Sequence, residues 1–208
     1  MRRAFALCWL SVGVLAASAA AAGDGGADTI DLRGFQVEYA KVGLDKVQRM
    51  RASLERQIEI VEKSGVPPAT LEFFKSVPVV IVPVLDTGFG HANRDEQGRQ
   101  VVELRAAELP RDRPILLHEL LHAYHGVKLG PTPMIRDSYQ QALKLPAYKK
   151  YAKAHFLENP REFFAVIGSI YLYGDKIDQP PFDCSLPAKY QPQFVAFLAQ
   201  QFGAHPCK

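Results

Sequence analysis

The sequence lacks both a strong charge excess and any low-complexity or repeated segment. Its 208 residues include 25 Lys and Arg against 22 Asp and Glu, and no stripe of basic residues is present. This absence removes the electrostatic basis for binding nucleic acid, so we exclude that class of function. The composition, 48% hydrophobic and 23% charged, is instead typical of a folded protein, and the length suits one domain with a full core.

Residues 1–22 have the pattern of a secretory signal peptide. Arg2 and Arg3 supply positive charge, an apolar run follows, and small residues end the segment. We expect cleavage after Ala22, which leaves residues 23–208 as an exported domain in the periplasm or outside the cell. An uncleaved membrane anchor is the alternative, because the uncharged stretch is nearly long enough to span a bilayer.

Cysteine is scarce, and only Cys184 and Cys207 remain beyond the predicted signal peptide. No CxxC spacing is present, so we do not expect a metal site built from thiolates. In an exported protein such a pair most simply forms one disulfide, which here would close a loop around the last helix. A disulfide that closes a loop of this size stabilises a fold by about 3 kcal/mol in the chain-entropy model.

The spacing of apolar residues predicts an α+β fold with a small sheet and a mostly helical C-terminal half. A long amphipathic helix is predicted from Leu44 to Val61. The β-branched run at 78–84 and the segment 100–104 predict two strands, and the glycine-rich segment 88–98 predicts a loop or hairpin between them. The remaining predicted helices cover 71–75, 114–125 with a stop at Gly126 or at the latest at Gly130-Pro131, 135–156 with a break at Pro146, 160–171 and 192–202.

The most informative motif is His118-Glu119-Leu120-Leu121-His122, inside the helix predicted after Pro114. Four residues make about one helical turn, so both imidazoles lie on one face and can reach the same zinc ion. Glu119 lies beside them, where it can take a proton from the water that the metal activates. The alternative is a core helix with hydrogen-bonded histidines, but two His and one Glu are an unfavourable polar load to bury without a function.

A catalytic zinc needs a third protein ligand, and the sequence lacks the third histidine of metzincins. That position, six residues after His122, is Lys128. Farther along, Glu162 follows Asn159 and Pro160 at the start of an apolar predicted helix. These three residues also match a capping box, in which Asn159 and Glu162 satisfy backbone donors. The local pattern alone is compatible with either role of Glu162.

The two motifs at 118–122 and 159–165, HELLH and NPREFFA, resemble those of gluzincin-type zinc metallopeptidases of the anthrax lethal factor and Mlc titration factor groups. The resemblance is specific only in these two motifs. It implies a zincin-like domain with one zinc ion per chain. By the same resemblance, His118, His122 and Glu162 would bind the zinc, and water would complete the coordination.

The sequence departs from that family at two positions. A tyrosine commonly stands seven residues before the ligand glutamate and hydrogen-bonds the developing oxyanion, whereas this sequence has His155. A histidine can donate the same hydrogen bond, so the resemblance implies a catalytic role for His155. Val166 replaces an acid that commonly orients a zinc-bound histidine, so Ser169 or a backbone carbonyl would have to do so.

Other residues near the motifs could contribute to the site. His125 would close it as a fourth ligand, although we favour an exposed or supporting position. His91 could line a cleft beside a sheet edge, although a loop histidine is the simpler interpretation. Gly88 and Gly90 could let a substrate backbone approach that edge, as strand addition requires. The aromatic residues of the C-terminal half are expected in the core: Tyr171, Tyr173, Phe194, Phe197 and Phe202.

Together these features predict an exported zinc metallopeptidase that acts as a monomer on a peptide or protein substrate. Glu119 would activate water for attack on the peptide carbonyl and then pass the proton to the leaving amine. We expect no nucleic-acid partner, and no membrane contact once the leader is cleaved. The alternative is a catalytically weak or inactive zincin-like periplasmic module that contains zinc and binds a partner, which the departures at His155 and Val166 favour.

Overall fold

The computed structural model of the protein describes residues 28–86, 88–174, 177 and 180–204. The predicted signal peptide and Cys207, one half of the predicted disulfide, lie outside these residues. The predicted α+β class is confirmed. The elements are β1 (Thr29–Leu32), β2 (Phe35–Glu38), α1 (Leu44–Lys63), α2 (Pro68–Ser76), β3 (Val79–Val82), β4 (Gly90–Arg94), β5 (Gln100–Arg105), α3 (Ile115–Tyr124), α4 (Pro133–Lys144), α5 (Pro160–Tyr173), α6 (Ser185–Tyr190) and α7 (Pro192–Phe202).

The five strands form one sheet in the order β1-β2-β3-β5-β4. The central strand β3 runs parallel to both neighbours, and all four of its residues are buried, as expected for a strand covered on both faces. β4 is an edge strand that pairs antiparallel with β5, so the glycine-rich segment forms a hairpin. The hairpin turns at Gly98, whose φ of 77° favours glycine. The sheet therefore presents β4 at one edge, next to the helices.

The N-terminal hairpin of β1 and β2 was not predicted from the sequence. Its two-residue turn has positive φ at both Arg33 (59°) and Gly34 (89°), the conformation that joins antiparallel strands tightly. Leu32, Phe35 and Val37 of this hairpin are buried. The hairpin therefore extends the sheet and belongs to the main core.

Helix α1 has the predicted amphipathic pattern and also fixes the start of α3. The buried amide of Gln57 donates to the carbonyls of Pro110 (2.9 Å) and Arg113 (2.8 Å), and its oxygen accepts from the Leu116 amide at 3.2 Å. Because the first amides of a helix lack partners within the helix, this glutamine satisfies one of them. The long N-terminal helix thus holds α3 in place relative to the sheet.

The helix predicted over 114–125 is α3, and of its two predicted stops, Gly126 and Gly130, the later one is correct. The chain makes a π-helical turn over His125–Leu129, and it ends at Gly130, whose φ is 58°. Helix α5 packs directly against α3 and is buried from Phe163 to Leu172.

Of the predicted core aromatics, Tyr171, Phe194 and Phe202 are buried, whereas Tyr173 and Phe197 are half-buried. No helix within the described part of the chain is both long and apolar enough to cross a membrane.

Candidate metal centre

Helix α3 places His118 and His122 side by side, as their spacing predicts. Their Nε2 atoms lie 3.1 Å apart, and the two rings are perpendicular with centroids 4.6 Å apart. His122 is buried and His118 is partly exposed to a cleft, with 6% and 13% of their side chains accessible. The helix is apolar around them, so the two imidazoles form its polar edge.

Glu162 enters the same cluster from the first turn of α5. Its Oε2 lies 3.2 Å from the Nε2 of His122 and 3.3 Å from the Nε2 of His118. Asn159 caps the helix alone, since its side chain accepts from the amides of Arg161 (2.9 Å) and Glu162 (3.0 Å). The hydrogen bonds of the described residues include none from the Asn159 amide back to Glu162. The carboxylate of Glu162 is therefore directed at the histidines instead of completing a capping box.

These three atoms have the spacing of neighbouring ligands in a tetrahedral zinc site. Zinc bonds of about 2.0–2.1 Å place ligand atoms roughly 3.3–3.4 Å apart, and the three observed separations are 3.1, 3.2 and 3.3 Å. Two imidazoles and a carboxylate are also ligand types that zinc accepts. The geometry and chemistry of His118, His122 and Glu162 therefore fit a metal ion. The identity of the metal follows from neither.

Protonation also suits metal binding. Burial lowers the pKa of His122, although the hydrogen bond with Glu162 acts in the opposite direction, so the ring is neutral at neutral pH. Burial of Glu162 opposes its ionisation, but hydrogen bonds with His118, His122 and His155 hold the pKa of that carboxyl well below its usual range. A neutral imidazole and an ionised carboxylate are the forms that bind a metal.

His155 joins the cluster from a short 3₁₀ turn just before α5. Its Nε2 lies 2.8 Å from Oε2 of Glu162, and its Nδ1 lies 3.1 Å from Oε1 of Glu158. The hydrogen bond to Glu162 raises the pKa of His155 to about 9 against the opposing effect of burial, and Glu158 contributes in the same direction. A pKa raised in this way favours the form of the ring in which both nitrogens carry protons. Glu158 was not predicted as a site residue, although a carboxylate three residues after His155 can reach its ring within one helical turn.

Glu119 lies next to the histidine pair and is only 7% exposed. One ligand atom each from His118, Glu119 and His122 can be chosen so that all three lie within 4.8 Å of one another. A second such group consists of His118, His155 and Glu162. The structure therefore brings all five sequence-predicted site residues together, on α3, on α5 and on the turn before α5.

A cleft of about 730 Å³ opens onto this cluster. Residues 88–92 at the edge strand β4 form one wall, the first turn of α3 forms another, and residues 158–162 line it as well. A single concave site of this size with several polar groups is typical of a small-molecule or peptide site. The residues predicted to cleave a peptide therefore lie at the bottom of an accessible groove.

The other candidate residues lie around this cleft. His125 is half-buried, and its ring centroid lies 5.2 Å from that of Phe164. It belongs to neither of the two possible metal-ligand groups among the described residues. His91 is exposed and lines the cleft. Ser169 also lines the cleft but donates to the carbonyl of Val166 at 2.9 Å. The Nδ1 atom of His122 is buried and has no hydrogen-bond partner among the described residues, so the predicted orienting role of Ser169 is not seen.

No protein-family model matches the sequence, and no curated protein matches it. Among solved structures, the Pro-Pro endopeptidase PPEP-2 from Paenibacillus alvei is similar to this chain with a TM-score of 0.46 and 19% sequence identity. The match covers 80% of this chain and 96% of that chain.

Proposed function

We propose that the protein is an exported zinc-dependent metallopeptidase that hydrolyses peptide bonds. The proposal rests chiefly on one observation, the triangle of 3.1–3.3 Å formed by His118, His122 and Glu162 beside the buried carboxylate of Glu119. Zinc-dependent peptide hydrolysis needs three metal ligands, a general base and a cleft for the substrate. His118, His122, Glu162 and Glu119 all line one cleft and could fill the first two roles.

In this proposal His118 and His122 bind zinc through Nε2, and Glu162 binds it through a carboxylate oxygen. When bound, zinc would polarise the substrate carbonyl and make a water molecule acidic enough to ionise near neutral pH. The remaining steps belong to the protein. Glu119 accepts a proton from the attacking water and later donates it to the leaving amine, so that the C–N bond breaks with a neutral amine as product.

His155 lines the same cleft, and 46% of its side chain is accessible. Its protonated Nε2 now donates to Glu162, and the same proton is available to the carbonyl oxygen of a bound substrate as negative charge develops there. Glu158 accepts from Nδ1 of His155 and keeps the ring in this orientation. We propose oxyanion stabilisation as the role of His155.

The cleft is open along the edge strand β4, which pairs only with β5 among the described strands. An extended substrate could therefore add to this edge through backbone hydrogen bonds. Strand addition suits an extended peptide, because the cleft runs between the β4 edge and the first turns of α3 and α5. The substrate proposed is therefore an extended stretch of peptide or protein, bound by a monomer.

The decisive experiment compares the mature protein with Glu119→Gln, using zinc-loaded samples and a broad peptide library analysed by mass spectrometry. We expect cleavage by the wild type, more than 100-fold loss in the variant, and zinc retained by both, because glutamine keeps the shape but cannot accept the proton. Glu72→Gln, an exposed change on α2, is the matched control and should cleave normally.

Two results would overturn the proposal. Undiminished cleavage by Glu119→Gln would show that this carboxylate is not the base. Bound zinc without any cleavage in the wild type would instead favour the alternative function, a zinc-containing binding module. The intact mass of the exported protein separately tests the proposed removal of residues 1–22.

A further inference from the structure

Gly90, the first residue of the edge strand β4, lies directly against the side chain of Glu119. A Cβ atom at Gly90 would stand 2.7 Å from Cγ of Glu119, 3.1 Å from Cδ and 3.0 Å from Oε1. Carbon atoms in good contact are about 3.5–4.0 Å apart, so even the smallest side chain would overlap with Glu119. The glutamate occupies the space that a side chain at position 90 would need.

The backbone of Gly90 does not itself call for glycine. Gly88 and Gly98, on either side in the same hairpin, have φ of 69° and 77°, but Gly90 is not among the described glycines with positive φ. An L-residue could therefore adopt its conformation without strain. The contact with Glu119 is the feature of this position that excludes a side chain.

Glu119 lines the cleft, so an added methyl group at Gly90 can push its side chain only in that direction. Its other surroundings are closed, because Glu119 is 7% exposed and Leu116, Leu117, Leu120 and Leu121 of the same helix are fully buried. Helix α3 also packs on both β4 and β5, so the helix cannot shift as a body without disturbing the core. An added atom at Gly90 must therefore displace the middle of the glutamate side chain.

We propose that Gly90 is a positioning residue that sets the place of the Glu119 carboxylate between the edge strand and the His118–His122 pair. The catalytic meaning of this inference rests on the proposed function, because it takes Glu119 as the general base. A base displaced by about 1 Å from its proton loses roughly 100-fold in rate. Glycine at this position thus determines whether the base can reach the attacking water.

The first test measures peptide cleavage and zinc content of Gly90→Ala. We expect kcat to fall about 100-fold with KM changed little and one zinc ion still bound, because the ligands are untouched. Gly126→Ala is the matched control, since its added Cβ meets only Gln100 Oε1 at 3.9 Å, and it should retain full activity. Full activity of Gly90→Ala would overturn the proposal.

The second test does not depend on activity. In zinc-saturated protein, Gly90→Ala should lower Tm by about 5 °C in the wild-type background, as overpacking does, and equally in Glu119→Gln, which keeps the same side-chain carbons. In Glu119→Ala the overlapping atoms are gone, so the same change should lower Tm by about 1 °C or less.

Equal losses of Tm in all three backgrounds would show that Gly90 does not position Glu119. If the wild type cleaves no peptide, the proposed function fails, while this thermal comparison still decides whether Gly90 sets the position of the carboxylate. The two failures are therefore distinguishable.

Discussion

Side-chain nitrogen and oxygen atoms meet at about 3 Å in two very different regions of this protein. On the outer face of α1, Arg49 pairs with Asp45 at 2.8 Å and Arg51 pairs with Glu55 at 2.7 Å, each one turn apart and exposed. Between α3 and α5, His118, His122 and His155 all converge on one oxygen of Glu162. Contact distances are similar in both regions, so distance alone does not reveal a functional site.

The two regions differ in convergence and in burial. Each pair on α1 is local, satisfied by its own partner and screened by solvent, and such pairs contribute little to stability. The cluster draws its members from separate elements, and the side chains of His118, His122 and Glu162 are only 6–18% accessible. Helix α1 thus has a solvated face, whereas the cluster has the arrangement of a possible metal site.

The largest effect is expected from Glu162→Gln, which removes the anionic ligand. We expect zinc affinity to fall by more than about 100-fold, beyond the range seen for changes to residues that only support the ligands. Peptide cleavage should be lost with it. Competition with a chromogenic chelator measures the affinity, and Glu55→Gln on α1 serves as the control. Unchanged affinity would return Glu162 to the role of a residue in a helix cap.

A smaller effect is expected from His155→Ala. Loss of one oxyanion donor commonly lowers kcat by about 100- to 1000-fold, and zinc should stay bound because His118, His122 and Glu162 remain. Parallel measurement of kcat and zinc content separates these outcomes. Loss of zinc together with activity would identify His155 as a metal ligand, and full activity would remove it from the mechanism.

Glu158→Ala should reduce kcat about tenfold, which corresponds to ~1.4 kcal/mol and to the loss of one hydrogen bond to a charged group. We expect its carboxylate to act through Nδ1 of His155, which lies 3.1 Å away. A double variant with His155→Ala checks this point, because the loss at Glu158 should disappear once the ring is gone. Additive losses would mean that Glu158 acts elsewhere in the cleft.

The smallest effect is expected on α1. Arg51→Gln breaks the pair with Glu55 and should shift Tm by no more than about 2 °C, with no change in zinc binding, because both side chains are exposed. Thermal scans at low and high salt test this. A drop comparable to that of a core substitution would show that the outer face of α1 is more than a solvated surface.

The sequence predicted the elements with strong periodicity well. The long helix α1 and the final helix α7 lie where their apolar spacing placed them, and the β-branched run formed the central strand β3. The sequence left two possible ends for the helix after Pro114, Gly126 and Gly130, and the chain continues as a π-helical turn to Leu129 before it ends at Gly130. The β1–β2 hairpin turns at Arg33-Gly34, which lacks the common Asn-Gly signature.

The sequence predicted the part of the site that lies within one helix better than the contacts between elements. Helical spacing was sufficient to place His118 and His122 together, because four residues always bring two side chains to one face. The local pattern alone left Glu162 undecided between cap and ligand, since the distinction depends on which way a side chain points from α5 toward α3. Gly90 was named for its small size beside a substrate, but its contact with Glu119 requires knowing how β4 packs on α3.

The proposed function requires that α3 and α5 together bind one metal ion, and elemental analysis of the purified protein measures that ion. After zinc loading and removal of the excess, we expect about one zinc ion per chain in the wild type, and loss of that zinc in Glu162→Gln. A well-folded wild-type sample without retained zinc would contradict the account and leave the histidine pair as part of an ordinary helix.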